Sequence, residues 1–209
     1  MQSILEESEL KIPLLYRKAE NALKCKKVFR DLVTEYLADP VTRRIENQGI
    51  LLSGSPGTGK TWTVCALART MNKVADRRFN IVFQDSCELV ERIYGRGPPL
   101  YVASRGENYD TVIETCSLLI LDNLGHEVRV GEGEKLVVSK IHRLLRKRLG
   151  QKKLTFVTTN LTIRDPEDDE PSQLEGAFSA SIVSVLDQLC PYQTAQQAGD
   201  ERSDKVVRL

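Results

Sequence analysis

An α/β fold, with a parallel sheet wound by helices on both faces, is the architecture this sequence predicts, and three observations predict it. Short apolar runs alternate along the chain with stretches whose apolar residues recur at helical spacing. One run, Leu118-Leu119-Ile120-Leu121, is unbroken in its apolar character, as a strand covered on both faces should be. A glycine-rich segment, Gly54-Ser55-Pro56-Gly57-Thr58-Gly59-Lys60-Thr61, lies between a strand-like run and a helical one. A chain of 209 residues can bury a core as one domain. Its net charge of +1 leaves any attraction to nucleic acid to local patches.

The elements follow in order. Leu14 to Leu37 reads as an amphipathic helical region, ended by Asp39-Pro40. Ile50 to Ser53 is the first core strand. Thr61 to Asn72 carries Val64, Leu67, Ala68 and Met71 on one helical face, and that helix runs to about Val74. Phe79 to Phe83 is a second strand, followed by a short helix around Ser86 to Tyr94 and a loop at Gly95-Arg96-Gly97-Pro98-Pro99. After the third strand, Leu118 to Leu121, comes a strong helix from Glu134 to Leu149 and a fourth strand from Leu154 to Thr158. Asp165 to Pro171 is an acidic loop, Phe178 to Leu189 a last helix, and Val206 to Leu209 a short closing strand. The expected division is an acidic segment at 1–10 and one core domain at 11–209, with no obvious lid domain.

Several classes are disfavoured. Met1 to Lys11 lacks the apolar run of a signal peptide, and no stretch approaches the ~18 apolar residues of a membrane span. Cys25, Cys65, Cys87, Cys116 and Cys190 form no C-x-x-C pair, and His126 and His142 are isolated. That argues against a zinc site and fits reduced thiols and a cytoplasmic location.

The glycine segment fits G-x-x-x-x-G-K-[ST] at every position, with a strand before it and a helix after it. Such a P-loop turns backbone N–H groups inward around phosphate oxygens, and the helix N-terminus adds positive potential. Lys60 is placed for the β- and γ-phosphates of ATP, Thr61 for Mg²⁺, and Trp62 packs near the nucleotide. The bland alternative is a glycine-rich turn without a ligand. Asp122 closes the third strand 62 residues after Lys60. A buried strand would fix its carboxylate beside the Mg²⁺ held by Thr61, as in a Walker B strand.

Here the chain resembles a family. Leu118 to Gly125 with Glu127 looks like the "LLIIDDLG-x-E" block of AAA+ ATPases of the DnaC/IstB type, which are helicase loaders and transposition helper ATPases. Lys11-Ile12-Pro13 with Tyr16-Arg17 resembles their "GIP-x-x-YR" entry segment, and Thr155 to Leu161 their "T-x-x-TSN-L" strand. The resemblance covers about Lys11 to Cys190. It implies an AAA+ core with a parallel five-stranded sheet of order 5-1-4-3-2 and a sensor role for Asn160 toward the γ-phosphate. It also implies single-stranded DNA and a replicative helicase or transposase as partners, with a homo-oligomer as a candidate assembly.

The departures bear on mechanism. The family usually has an acid where this chain has Asn123, and an amide cannot take a proton from water. Glu127 is the next acid along, so Lys60, Asp122, Asn123, Glu127 and Asn160 form the candidate catalytic set. Gln188 stands where loaders carry an arginine that reaches a neighbouring subunit's nucleotide. An arginine finger is worth roughly 10³ to 10⁵ in turnover, so slow hydrolysis is expected. The helix at 134–149 offers Lys140, Arg143, Arg146, Lys147 and Arg148 as candidate DNA contacts. The alternative is a solvated face opposite the acidic loop, and the resemblance aligns Arg148 with a family arginine preceding the sensor strand. Two other functions stay open: a non-hydrolysing nucleotide-binding interaction module, and a P-loop kinase.

Overall fold

The computed structural model describes residues 12–16, 18–19, 21–74, 80–95, 109–125, 134–163, 171–195 and 205–208. The strands are β1 (Ile50–Ser53), β2 (Ile81–Asp85), β3 (Leu118–Leu124), β4 (Leu154–Thr159), β5 (Tyr192–Ala195) and β6 (Lys205–Arg208). They form one sheet of order β2-β3-β4-β1-β5-β6. The first five are parallel, which is the expected 5-1-4-3-2 order, and β6 adds an antiparallel edge beside β5.

The helices are α1 (Lys27–Ala38), α2 (Pro40–Ile45), α3 (Lys60–Val74), α4 (Ser86–Ile93), α5 (Tyr109–Thr115), α6 (Glu134–Gly150), α7 (Gln173–Phe178) and α8 (Ala180–Leu189). They cover both faces. Ile50, Leu52, Ile81, Leu118, Ile120, Leu154 and Phe156 join a core with α1 and α3. Leu51, Val82, Leu119, Leu121 and Val157 point the other way, into a core with α4, α5, α6, α7 and α8. Successive strand residues face opposite sides, so a strand with a core on each face must be apolar throughout.

Four expectations need correction. The helical region at 14–37 is broken into 3₁₀ turns at Leu14–Tyr16 and Ala22–Lys24 before α1. Asn21 makes the break, since its extended backbone (φ −132°) and side-chain oxygen cap Leu23 N at 3.0 Å. Asp39-Pro40 ends one helix but also starts α2, because Asp39 Oδ1 accepts from Thr42 N and Pro40 occupies the first turn. The last helix, expected from Phe178, starts at Ala180 as α8, and Phe178 instead ends a separate short helix, α7, with Ser179 (φ 90°) making the break. The fifth parallel strand is Tyr192–Ala195, while the run near Val206 is the antiparallel β6. The segment 1–10, Phe79, the loop at 96–99 and the acidic residues 165–170 lie outside the described residues.

Gly49 shows how tightly β1 is seated. A Cβ there would lie 1.9 Å from Thr155 O and 2.6 Å from Leu189 O, so only glycine lets the chain enter the sheet at this point. Among the described residues no helix is long and apolar enough to cross a membrane.

Candidate nucleotide site

The carboxyl ends of β1, β2, β3 and β4 meet at one edge of the sheet, where doubly wound folds bind ligands. β1 stops at Ser53 and the chain turns through Gly54–Gly59 into α3, which begins at Lys60. Gly54, Gly57 and Gly59 all have positive φ (144°, 78° and 90°). At Gly57 a Cβ would meet nothing within 4 Å, so conformation and not crowding demands glycine there. Ser55 and Thr58 staple the loop, with Thr58 Oγ1 donating to Ser55 O at 2.9 Å, and Pro56 is exposed at its tip. From outside, Lys26 Nζ donates to Gly57 O at 2.6 Å.

Lys60 is only 5 % exposed. Its ammonium donates to Gly54 O (2.7 Å), Ser55 O (3.0 Å) and Asn160 Oδ1 (2.8 Å). Burial pushes its pKa down, with Asp122 opposing. Asn160 follows directly on β4, so the Lys60–Asn160 bond spans the loop and the neighbouring strand.

Asp122 is the hub beneath. Thr61 Oγ1 donates to its Oδ1 at 2.8 Å and Thr158 Oγ1 to the same oxygen at 2.6 Å. Burial raises the Asp122 pKa, the two hydroxyls lower it, and the Asp85 charge raises it. Asn123 has a left-handed backbone (φ 59°). Its Nδ2 lies 3.3 Å from Asp122 Oδ2 and 3.2 Å from Asp85 Oδ2, bridging two carboxylates. Tyr16 reaches this edge too, through a ring contact with Phe83 (6.3 Å); burial raises its phenol pKa, and the Asp122 charge raises it further. Chemically, the arrangement offers an anion cradle, a buried ammonium, and a hydroxyl and carboxylate that are hard oxygen donors suited to Mg²⁺.

Not every candidate gathers here. Trp62 is half-buried against the α1/α3 core. Glu127 lies outside the described residues. Gln188 is exposed on α8 and donates to Ser184 O. On α6, Lys140, Arg143, Arg146 and Lys147 are exposed, but Arg148 is 0 % exposed. The DNA-contact reading of Arg148 is therefore corrected: its guanidinium bonds Thr155 Oγ1 (3.0 Å), Ile113 O (2.8 Å), Cys116 O (3.2 Å) and Leu154 O (2.6 Å). Among the described residues, acids facing α6 come from α5, where Glu114 pairs with Lys147 and Asp110 lies 4.0 Å from Arg143.

Asp85, Thr158 and Lys26 were missed by sequence reasoning, and Tyr16 was noted only within the entry segment. For Asp85 a signal existed, since Ile81-Val82-Phe83-Gln84-Asp85 is also an apolar run closed by an aspartate.

Residues 33–169, more than half the chain, match the family of IstB-like ATP binding proteins. The chain belongs to that family. No curated protein matches this IstB-like chain in sequence. Among solved structures it is similar to the DnaC helicase loader, with a TM-score of 0.65, 20 % identity, and 88 % of this chain and 100 % of that chain covered. DnaI gives a TM-score of 0.61 at 18 % identity, covering 89 % and 95 %. The replication initiator DnaA bound to AMPPCP and single-stranded DNA gives 0.53 at 15 %, covering 83 % and 47 %. At these identities the likeness is one of fold. The IstB-like chain thus carries the α/β P-loop fold of AAA+ proteins.

Proposed function

We propose that this IstB-like protein binds ATP with Mg²⁺ and acts as a nucleotide-dependent switch in DNA replication or transposition, hydrolysing ATP slowly. The observation that carries the reading is the convergence of Lys60 on Asn160 and of Thr61 on Asp122, within one phosphate loop. Gly54 to Gly59 would present backbone N–H groups to the phosphates, and Lys60 would exchange its loop carbonyls for β- and γ-phosphate oxygens. Asn160, already bonded to Lys60, would report the γ-phosphate to β4. Thr61 and Asp122 would hold Mg²⁺; when bound, the ion neutralises charge on the phosphates. Asn123 and Gln188 favour slow chemistry, because neither can act as a base or supply a cation. A switch needs only different affinity for partner in its ATP and ADP forms, not fast turnover.

Single-stranded DNA and a replicative helicase or transposase are the proposed partners, and assembly into a homo-oligomer is part of the same reading. The relatives' descriptions as helicase loader and as initiator on single-stranded DNA support it. The exposed Lys140, Arg143, Arg146 and Lys147 offer a phosphate-contacting stripe, partly neutralised by Asp110 and Glu114. The test is binding of a fluorescent ATP analogue, and Mg²⁺-ATP turnover with and without single-stranded DNA, for the native chain and Lys60→Ala. Saturable binding lost in Lys60→Ala is expected, and brisk turnover without DNA would refute the switch. The same Asn123 and Gln188 favour a second reading, a module that binds nucleotide without hydrolysis. It predicts a nucleotide-dependent rise in melting temperature with no change in oligomeric state or DNA affinity.

A further inference from the structure

The acid missing from position 123 has a neighbour that can replace it. The parallel register sets Asp85, the last residue of β2, opposite Asp122. The β2–α4 junction is built around Asn123 from two sides. Ser86 Oγ donates to Asn123 O at 2.7 Å, and Asp85 Oδ2 accepts from Asn123 Nδ2 at 3.2 Å. Asn123 is held a third time by its own N–H, which donates to Thr158 Oγ1 at 3.0 Å. Its amide is therefore a fixed bridge between the Asp122 and Asp85 carboxylates.

The other Asp85 oxygen is occupied differently. Oδ1 accepts from Cys87 N (2.9 Å) and Glu88 N (3.3 Å) as the cap of α4. That anchors the carboxylate and leaves Oδ2, with one bond among the described residues, from Asn123, an acceptor site to spare. A cap alone requires no charge, because serine or asparagine serves that position as well as aspartate. What aspartate adds is a second carboxyl oxygen at the carboxyl edge of the sheet, one amide away from Asp122.

We infer that Asp85, and not position 123, supplies the general base for ATP hydrolysis in this chain, with the Asn123 amide orienting it. The inference rests on the ATP reading above. As the water oxygen forms its bond to the γ-phosphorus, its proton passes to Asp85 Oδ2. The bond from that phosphorus to the β,γ-bridging oxygen breaks, ADP departs with the electron pair, and the proton leaves Asp85 for solvent with inorganic phosphate. The acid thus stands on β2 and the amide on β3.

The test compares native protein, Asp85→Asn, Asp85→Ser and the exchanged pair Asp85→Asn/Asn123→Asp, in single-turnover Mg²⁺-ATP hydrolysis with Lys60→Ala as baseline. Both single variants keep a helix cap, and thermal melting checks that they are folded. Asp85→Asn and Asp85→Ser should each lose about 100-fold in rate, the scale of a general base, while affinity for the fluorescent ATP analogue changes less than about threefold. The exchanged pair should recover at least about a tenth of the native rate, which a merely structural cap would not produce. The inference is overturned if Asp85→Asn turns over ATP within twofold of native. It is also overturned if the native chain binds nucleotide yet hydrolyses no faster than Lys60→Ala. Failure of the native chain to bind the analogue is a different result, which removes the ATP reading itself.

Discussion

Replacing Thr158 by valine isolates what holds Asp122 in place. The side chain is fully buried, and valine has nearly its shape, so no cavity is opened. Two interactions disappear. One is the charge-assisted bond from Thr158 Oγ1 to Asp122 Oδ1 at 2.6 Å, a class worth roughly 1.5–3 kcal/mol. The other is the bond that satisfies Asn123 N at 3.0 Å, and an orphaned buried N–H costs about 1–3 kcal/mol. Valine regains part of this by burying a methyl group in place of a hydroxyl, which leaves a net loss of about 3 kcal/mol. Against a total stability of about 5–15 kcal/mol that is a large fraction. In urea denaturation at neutral pH without nucleotide, a slope near 2–3 kcal/mol/M turns it into a midpoint lowered by about 1 M. ATP-analogue affinity should fall in parallel, because Asp122 loses one of the two hydroxyls that lower its pKa. A midpoint within about 0.3 M of native would refute the claim that Thr158 supports the site.

Other perturbations have equally definite outcomes. Burial raises the Asp122 pKa above 3.8, so the folded chain holds that proton more tightly than the unfolded one, and ionising it costs stability as pH rises through the folded value. Asp122→Asn should therefore be more stable than native at neutral pH without Mg²⁺-ATP, with the advantage vanishing below pH 3.8. It should also lose the Mg²⁺ dependence of nucleotide binding; urea midpoints across pH and titrations with and without Mg²⁺ read both. Gly49→Ala sets a methyl against the Thr155 and Leu189 carbonyls and should lose at least about 3 kcal/mol or fail to fold, measured by thermal melting. Arg143→Glu/Arg146→Glu reverses exposed charges without touching the core, so melting should fall by no more than a few degrees from the lost pairing with Asp110 and the lost bond to His142. Its salt dependence of single-stranded DNA binding should flatten by about 0.7 per lost phosphate contact, read by fluorescence anisotropy against salt.

What the sequence revealed depended on how local the signal was. The phosphate loop, Asp122 and Asn160 lie in contiguous patterns with their own strand or helix context, and the structure brings Lys60, Thr61, Asp122 and Asn160 together. β5 was hidden because Tyr192-Gln193-Thr194-Ala195 has no apolar run. It is a strand because β1 offers it an edge, a fact 142 residues away in the chain at Ile50↔Tyr192. Asp85 ended a visible strand, but its meaning lies in the β2–β3 register, which no local pattern encodes. Arg148 was misread for the opposite reason. It looked like one more member of a basic run, although Ile141, Leu144 and Leu145 place it on the buried face, seven, four and three residues on.

That buried guanidinium gives α6 a fixed bearing. It makes six polar contacts, with Ile113, Glu114 and Cys116 at the end of α5 and with Leu154 and Thr155 at the start of β4. Rolling the helix about its own axis would drag a charge from those contacts into the apolar surroundings of Leu144 and Leu145, at a cost of several kcal/mol. α6 turns only if α5 and β4 turn with it. A load placed on its outer stripe is therefore delivered to β4, whose far end carries Thr158 and Asn160. The helix is keyed to the sheet like a splined shaft, and torque on one is torque on the other.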